Sequence, residues 1–288
     1  MATNKTNNSN RIDVLKTYKL FIGGAFPRSE SGRVYAIKDS SGNHLANPAL
    51  ASRKDLRDAV VAARAAFSVW SGATAFNRGQ ILYRMAEILE GRSDQFINEV
   101  MALEGVTLRA AEIQVKESID LLVWYAGWCD KISALDGATN SVSGPFYNFT
   151  IPEPIGVVAI FPAAKPSLAN FVGAIAAVIS SGNSAVVIAP EKFPLPAISF
   201  AECMATSDLP AGVVNVLTGS TSELAPWVAS HMDIDAIDAS GLTPKLLKEV
   251  QLTGVGNLKR VRVPLDIKSP KRILGFMETK TVWHPIGI

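Results

Sequence analysis

A chain of 288 residues, 48% of them hydrophobic, has room for one large domain or two modest ones around an ordinary buried core. Its 28 basic and 26 acidic residues leave a formal charge of +2, without the basic excess of a nucleic-acid binder, so nucleic acid is not an expected partner. The two cysteines, Cys129 and Cys203, are too few for a disulfide framework and lack paired metal-ligand spacing, so a reducing compartment and a cytoplasmic location are expected.

The opening "MATNKTNNSNRID" is polar and Asn-rich and has no apolar signal core, which predicts a disordered tail over residues 1–14. From Arg53 to about Ser133 the pattern is helical. In "RKDLRDAVVAARAAFSVW" Leu56, Val60, Ala63 and Phe67 recur three or four residues apart, and "RGQILYRMAEILEGR" continues the period. "SGPFYNFTIPEP" then alternates aromatic with other residues after a Gly-Pro turn, predicting a hairpin arm over 139–153. Four short apolar strands follow in "GVVAIF", "SAVVIA", "GVVNVLTG" and "DAIDAS", each trailed by a helix-length segment, and "NLKRVRV" supplies a fifth. The apolar run "FVGAIAAVIS" is about half the length a bilayer span needs, so it reads as a buried helix, and no membrane association is expected. This spacing predicts an α/β fold, a Rossmann-like open parallel sheet with flanking helices. "ETKTVWHPIGI" reads as one more strand with no neighbour in sequence.

Six segments taken together, "FIGGAF", "EPIGVVAIFP", "GNSAVVIAPEKFPLPA", "DLPAGVVNVLTG", "ASHMDIDAI" and "NLKRVRVPLDIKSP", resemble the aldehyde dehydrogenase superfamily in order and spacing. The resemblance implies a cofactor-type domain over 15–270 and an oligomerisation strand over 271–288. It also implies a catalytic domain between the "LGGKSP"-type segment and that strand, whereas here Pro270 is followed by the strand after about ten residues. Such a short join is similar to the degenerate second half of the tandem-domain aldehyde dehydrogenases, which shares "GNLKR" and a closing pattern like "WHPIG".

The family's chemistry needs a cysteine nucleophile, an oxyanion donor and a glutamate base. Neither Cys129 nor Cys203 stands at the nucleophile position, and both read as buried structural cysteines. Ala164 in "FPAAKP" takes the place of the family's oxyanion asparagine and cannot donate. The base position falls in Pro264, Leu265, Asp266, Ile267 and Lys268, where Asp266 is two residues displaced and reads as a solvated loop carboxylate. No catalytic residue is therefore assigned. On the cofactor side, Ala189 replaces a ribose-binding lysine while Glu191 remains, "TGSTSELAP" keeps Gly219 but has Ala225 for a later glycine, and "GLTPKL" keeps Gly241 with Leu242 and Leu246 replacing a serine and a glycine. The expected cofactor is none, or NAD if any, with Glu191, Gly219 and Gly241 as residual contacts. His44, His231 and His284 are scattered and predict no metal site, with His231 expected to cap or pack. Lys259, Arg260 and Arg262 read as a solvated strand edge.

The elements that make subunit contacts in the family remain: Phe146, Tyr147 and Phe149 on the arm, and Lys280, Val282 and Trp283 on the terminal strand. That strand is expected to pair with another chain's sheet, the alternative being that it folds back on the chain's own hairpin. The resemblance thus implies a catalytically degenerate subunit that assembles with itself or with a full-length aldehyde dehydrogenase. The alternative is an NAD(P)-dependent aldehyde oxidoreductase component that borrows a partner's catalytic domain. A third possibility is a small-ligand module using the cofactor crevice, shaped by Ala163, Ala164, Lys165 and Leu242.

Overall fold

The computed structural model describes residues 15–264 and 266–287, so the tail expected over 1–14 lies outside the described residues. The chain enters through a small antiparallel ribbon, β1 (Ile37–Lys38) and β2 (His44–Ala46). The predicted helical stretch resolves into α1 (Arg53–Ser71), α2 (Ala75–Gly91), α3 (Ser93–Glu104), α4 (Leu108–Trp128) and the short α5 (Ile132–Asp136). The start of α1 is set by a reciprocal cap: the Ser52 hydroxyl accepts from the Lys54 and Asp55 amides, and the Asp55 carboxylate accepts from the Ser52 amide. One α1 stripe, Leu56, Ala59, Val60, Ala63 and Trp70, is fully buried, and the Trp70 indole N–H donates to the Ile179 carbonyl at 2.9 Å. Burying each of the larger side chains contributes about 1.5–3 kcal/mol.

Two strands of the arm follow, β3 (Ala138–Asn140) and β4 (Phe146–Pro154). Strands and helices then alternate: β5 (Val157–Ile160), α6 (Ser167–Ser180), β6 (Ser184–Ile188), α7 (Leu195–Ala205), β7 (Val214–Leu217), α8 (Thr221–Ser230), β8 (Ala236–Asp238), α9 (Pro244–Gly254) and β9 (Arg260–Arg262). All five strands are parallel, in the order β7-β6-β5-β8-β9. Their residues divide between two cores, as expected of a sheet covered on both faces. Val158, Ile160, Val187 and Val216 pack with α2, α4, α6 and α7, whereas Val157, Ala159, Val186, Ile188 and Ile237 pack with α1, α8 and Val250 of α9. The strand order reverses at β5, which places a crevice between the loops that follow β5 and β8.

The chain closes through α10 (Pro270–Leu274) and β10 (Met277–Pro285). The expectation that the terminal strand pairs with another chain's sheet is corrected here. β10 runs antiparallel to β4 of its own chain, from Met277 opposite Pro154 to Pro285 opposite Phe146, in a three-stranded sheet ordered β10-β4-β3. The reason is local steering. The Asn183 amide donates to the Phe276 carbonyl at 2.8 Å, and Arg260 donates to the Met277 carbonyl and pairs with Glu278 at 3.0 Å, so the strand starts beside the end of β4. Pairing within the chain then satisfies those backbone groups without the entropy loss of association. β10 remains the edge of this sheet.

Candidate functional site

The loops at the carboxyl ends of β5, β6 and β8 converge on a cavity of about 160 Å³ lined by Phe161, Pro162, Ala164, Glu191, Lys192 and Gly241, among others. Small-ligand sites commonly offer about 300–1,000 Å³. The narrowness has a visible cause. The Gly241 amide donates to the Phe161 carbonyl at 2.6 Å, and a Cβ at Gly241 would stand 2.2 Å from the Pro162 oxygen, so the two switch-point loops are drawn together. Glycine is required at position 241 for this close approach.

Two of the three expected cofactor residues thus meet at one cavity. Glu191 uses its carboxylate to accept the Thr221 amide at 3.2 Å, capping the first turn of α8. The third, Gly219, does not line this cavity: it has φ +150° and packs where a Cβ would meet the Ala51 amide at 3.1 Å, fastening β7 to the N-terminal segment. Ala225 is fully buried in the core, and Leu242 packs against the same core. At the start of α9, Pro244 has no amide N–H and the Leu246 amide donates to the Thr243 hydroxyl, so this helix end has few free donors for a phosphate.

Ala164 is exposed at the mouth of the cavity and carries no donor. Asp266 is exposed and its carboxylate accepts the Lys268 amide at 3.0 Å, closing a local turn; Leu265 lies outside the described residues. Cys129 ends α4 and donates to the Tyr125 carbonyl, while Cys203 lies within α7 and donates to the Ser199 carbonyl. Burial pushes their thiols up to about 12 and about 11 respectively, and neither lines the cavity. The histidines stay apart, and the described residues contain no group of metal-ligating side chains.

The join between β9 and β10 is tied down at several points. The Arg272 guanidinium meets Asp238 at 2.7 Å, with side-chain exposures of 5% and 0%. Asp238 ends β8 at the switch point and also accepts the Ser240 amide. The Tyr125 hydroxyl donates to the Ile267 carbonyl at 2.7 Å, and Ile267 lies over Gly173 of α6. Behind this, the buried Glu104 carboxylate accepts from both the amide and the hydroxyl of Ser167, capping α6. Sequence reasoning assigned no role to Asp238, Arg272, Tyr125 or Glu104. One signal was available: an aspartate at the end of the apolar strand "DAIDAS" needs a buried partner.

The basic alternation also differs from a plain solvated edge. Lys259 is buried, its ammonium held by Asn257, and burial lowers it to about 8; Arg260 bridges β9 to β10; only Arg262 is exposed. On the arm, Phe146 and Trp283 share one face, ring centroids 5.7 Å apart, and both are exposed. Tyr147, Phe149 and Val282 share the other face, with Lys280 paired to Glu153.

The aldehyde dehydrogenase family model matches residues 26–282, a span that runs across the join. Retinal dehydrogenase 2 from Mus musculus is 37% identical over 268 residues, covering 90% of this chain and 50% of that protein. Cytosolic 10-formyltetrahydrofolate dehydrogenase from Xenopus tropicalis is 33% identical over 269 residues, covering 91% and 30%. Among solved structures, an NAD+ complex of an aldehyde dehydrogenase from Bacillus cereus superposes with a TM-score of 0.80 at 25% identity, covering 85% of this chain and 50% of that one. The chain therefore spans about half the length of the retinal dehydrogenase it matches.

Proposed function

This chain belongs to the aldehyde dehydrogenase family, and we propose that within it the chain is a catalytically degenerate subunit, acting in assembly or regulation with itself or with a full-length aldehyde dehydrogenase. The observation that carries this reading is the closure between β9 and β10. A buried ion pair, Arg272 with Asp238, and the Tyr125 hydroxyl on Ile267 fasten the short join to the switch point and to α4. In the segment from which the resemblance leads one to expect a catalytic domain, Arg272, Ile273 and Phe276 are buried, the last two as members of the core.

The chemistry at the crevice supports the same reading. Oxidation of an aldehyde through a thioester needs a thiolate, an oxyanion donor, an acceptor for the hydride and a base for the attacking water, all within reach of one carbon. The exposed Ala164 supplies no donor, Asp266 is engaged with the Lys268 amide, and both thiols are buried and held protonated. A dinucleotide also fits poorly: the cavity is about 160 Å³, Glu191 is committed to the Thr221 amide, and α9 begins with a proline. These features weigh against the competing reading of an NAD(P)-dependent component that borrows a catalytic domain.

Association is proposed to use the arm, whose edge strand β10 carries the exposed Trp283 and Lys280 beside Phe146 and Tyr147. The test is light scattering on the full chain, alone and mixed with a full-length aldehyde dehydrogenase of the same organism. The expected result is a dimer or a mixed oligomer that Trp283→Asp dissociates without changing the melting midpoint. A monomer in both samples at about 100 µM would refute the assembly role. A thermal scan with about 1 mM NAD should show no shift, because a Kd near 100 µM would stabilise the protein by over ~1 kcal/mol.

A further inference from the structure

A second cavity, of about 530 Å³, lies in the groove between the start of α1 and the second half of α8, and it shares no lining residue with the crevice. Its walls include Arg53, Lys54, Arg57, Trp227 and His231, with Glu30 the one acidic member. The Arg53 guanidinium lies 3.9 Å from the centre of the half-exposed Trp227 ring, a cation–π contact. This contact holds the guanidinium over the ring face and takes up none of its N–H groups. Among the described residues no carboxylate or carbonyl accepts from them. The neighbouring cations differ: Lys54 lies 3.5 Å from Glu30, and Arg57 is paired with Asp58 at 2.8 Å.

His231 adds a second oriented donor. Its Nδ1 accepts the Asp233 amide at 3.2 Å, which places the ring proton on Nε2, and burial holds the ring pKa below its usual range. Of the first-turn amides of α1, those of Lys54 and Asp55 are already taken by the Ser52 hydroxyl. The site thus rests on side chains: a planar guanidinium without an acceptor among the described residues, an aromatic wall and a neutral imidazole donor.

We propose that this cavity binds an anionic, ring-bearing small molecule of nucleotide size, with Arg53 as its principal anion contact. A fork of guanidinium N–H groups suits the two oxygens of a phosphate. The volume suits more than a bare anion, and Arg53 and Trp227 in the cavity wall offer a planar guanidinium and an indole to a ring. The inference stands apart from the proposed subunit role, since it uses no residue of the crevice or the arm.

The experiment is calorimetric titration of the full chain with ADP, adenosine and inorganic phosphate, on the native protein and on Arg53→Gln, Arg53→Lys and Lys192→Gln. ADP should bind at or below about 1 mM and at least tenfold more tightly than phosphate or adenosine alone, because it supplies both charge and ring. Arg53→Gln should weaken ADP at least about tenfold, Arg53→Lys less, since it keeps the charge without the fork. Lys192→Gln, in the crevice, should leave ADP affinity unchanged. Unaltered melting midpoints of the Arg53 variants would show that the loss is not one of folding. The proposal is overturned if ADP gives no heat at about 5 mM, if it binds Arg53→Gln as tightly as the native protein, if Lys192→Gln abolishes binding, or if phosphate binds as tightly as ADP.

Discussion

Replacing Arg272 with methionine removes one half of a fully buried ion pair while keeping most of the hydrocarbon stem. The Asp238 side chain has no exposed surface, and after the substitution its charge would retain, among the described residues, only the Ser240 amide, at 3.1 Å. Removing one partner of a buried pair costs about 3–5 kcal/mol, because the remaining charge is left uncompensated in a dry site. At about 2–4 °C per kcal/mol, the melting midpoint should fall by roughly 6–20 °C. The double variant Asp238→Leu with Arg272→Met should recover most of that loss, since the pair repays its own desolvation only in part and the Arg272 Nε has no hydrogen-bond partner among the described residues. The assay is urea unfolding followed by circular dichroism on the four proteins of the cycle. A cost below about 1 kcal/mol for Arg272→Met would refute the reasoning, because the join would then not be anchored at the switch point.

Tyr125→Phe, which removes the hydrogen bond to the Ile267 carbonyl, should cost about 1 kcal/mol in the same unfolding assay. Gly241→Ala should cost about 1–3 kcal/mol, because its Cβ would meet the Pro162 oxygen and force the switch-point loops apart. Cys129 and Cys203 should resist a thiol reagent at pH 8 in the native protein and react at once in denaturant. Burial holds both thiols above the ordinary value of about 9.0, so stability is unaffected below that pH and falls as pH rises from 9 towards 12 for Cys129 and 11 for Cys203. The limiting slope is about 1.4 kcal/mol per pH unit for each thiol, measurable as a steepening loss of stability in alkaline buffers. Serine at either position should remove its share of that slope.

The parallel sheet was legible because its strands are buried on both faces, so "GVVAIF" and "SAVVIA" are apolar at every position and stand out against the helices between them. The helical region was legible as a whole but not as five pieces, since Thr74 and Thr107 cap α2 and α4 through hydroxyls that look like ordinary polar residues in a helical run. Glu191 and Gly241 were traceable through the family pattern to one cavity. Gly219 shows the limit of that method: its backbone freedom serves contact with Ala51, and the glycine pattern alone does not tell a cofactor loop from a packing requirement.

What could not be read were the pairings that join distant parts of the chain. Asp238 at the end of an apolar strand signals only that it needs a partner, Arg272 resembles a solvated residue, and only the fold removes both from water and sets them face to face. The partner of β10 was misassigned for a related reason. An unpaired strand in a sequence states that its backbone groups need acceptors and donors, but it does not say from which chain they come. Here the choice follows from the join. With Asn183 holding Phe276, Arg260 holding Met277 and Glu278, and Arg272 locked to Asp238, the start of β10 is fixed beside Pro154 before any pairing along the arm is counted. From that start each residue of β10 finds a β4 partner in register at little further loss of chain freedom, whereas a second molecule would have to be recruited from solution for the same bonds. The pairing that uses up the inner side of β10 leaves its outer side at the edge of the arm, so the association proposed through that edge would add to the fold of a single chain and would not compete with it.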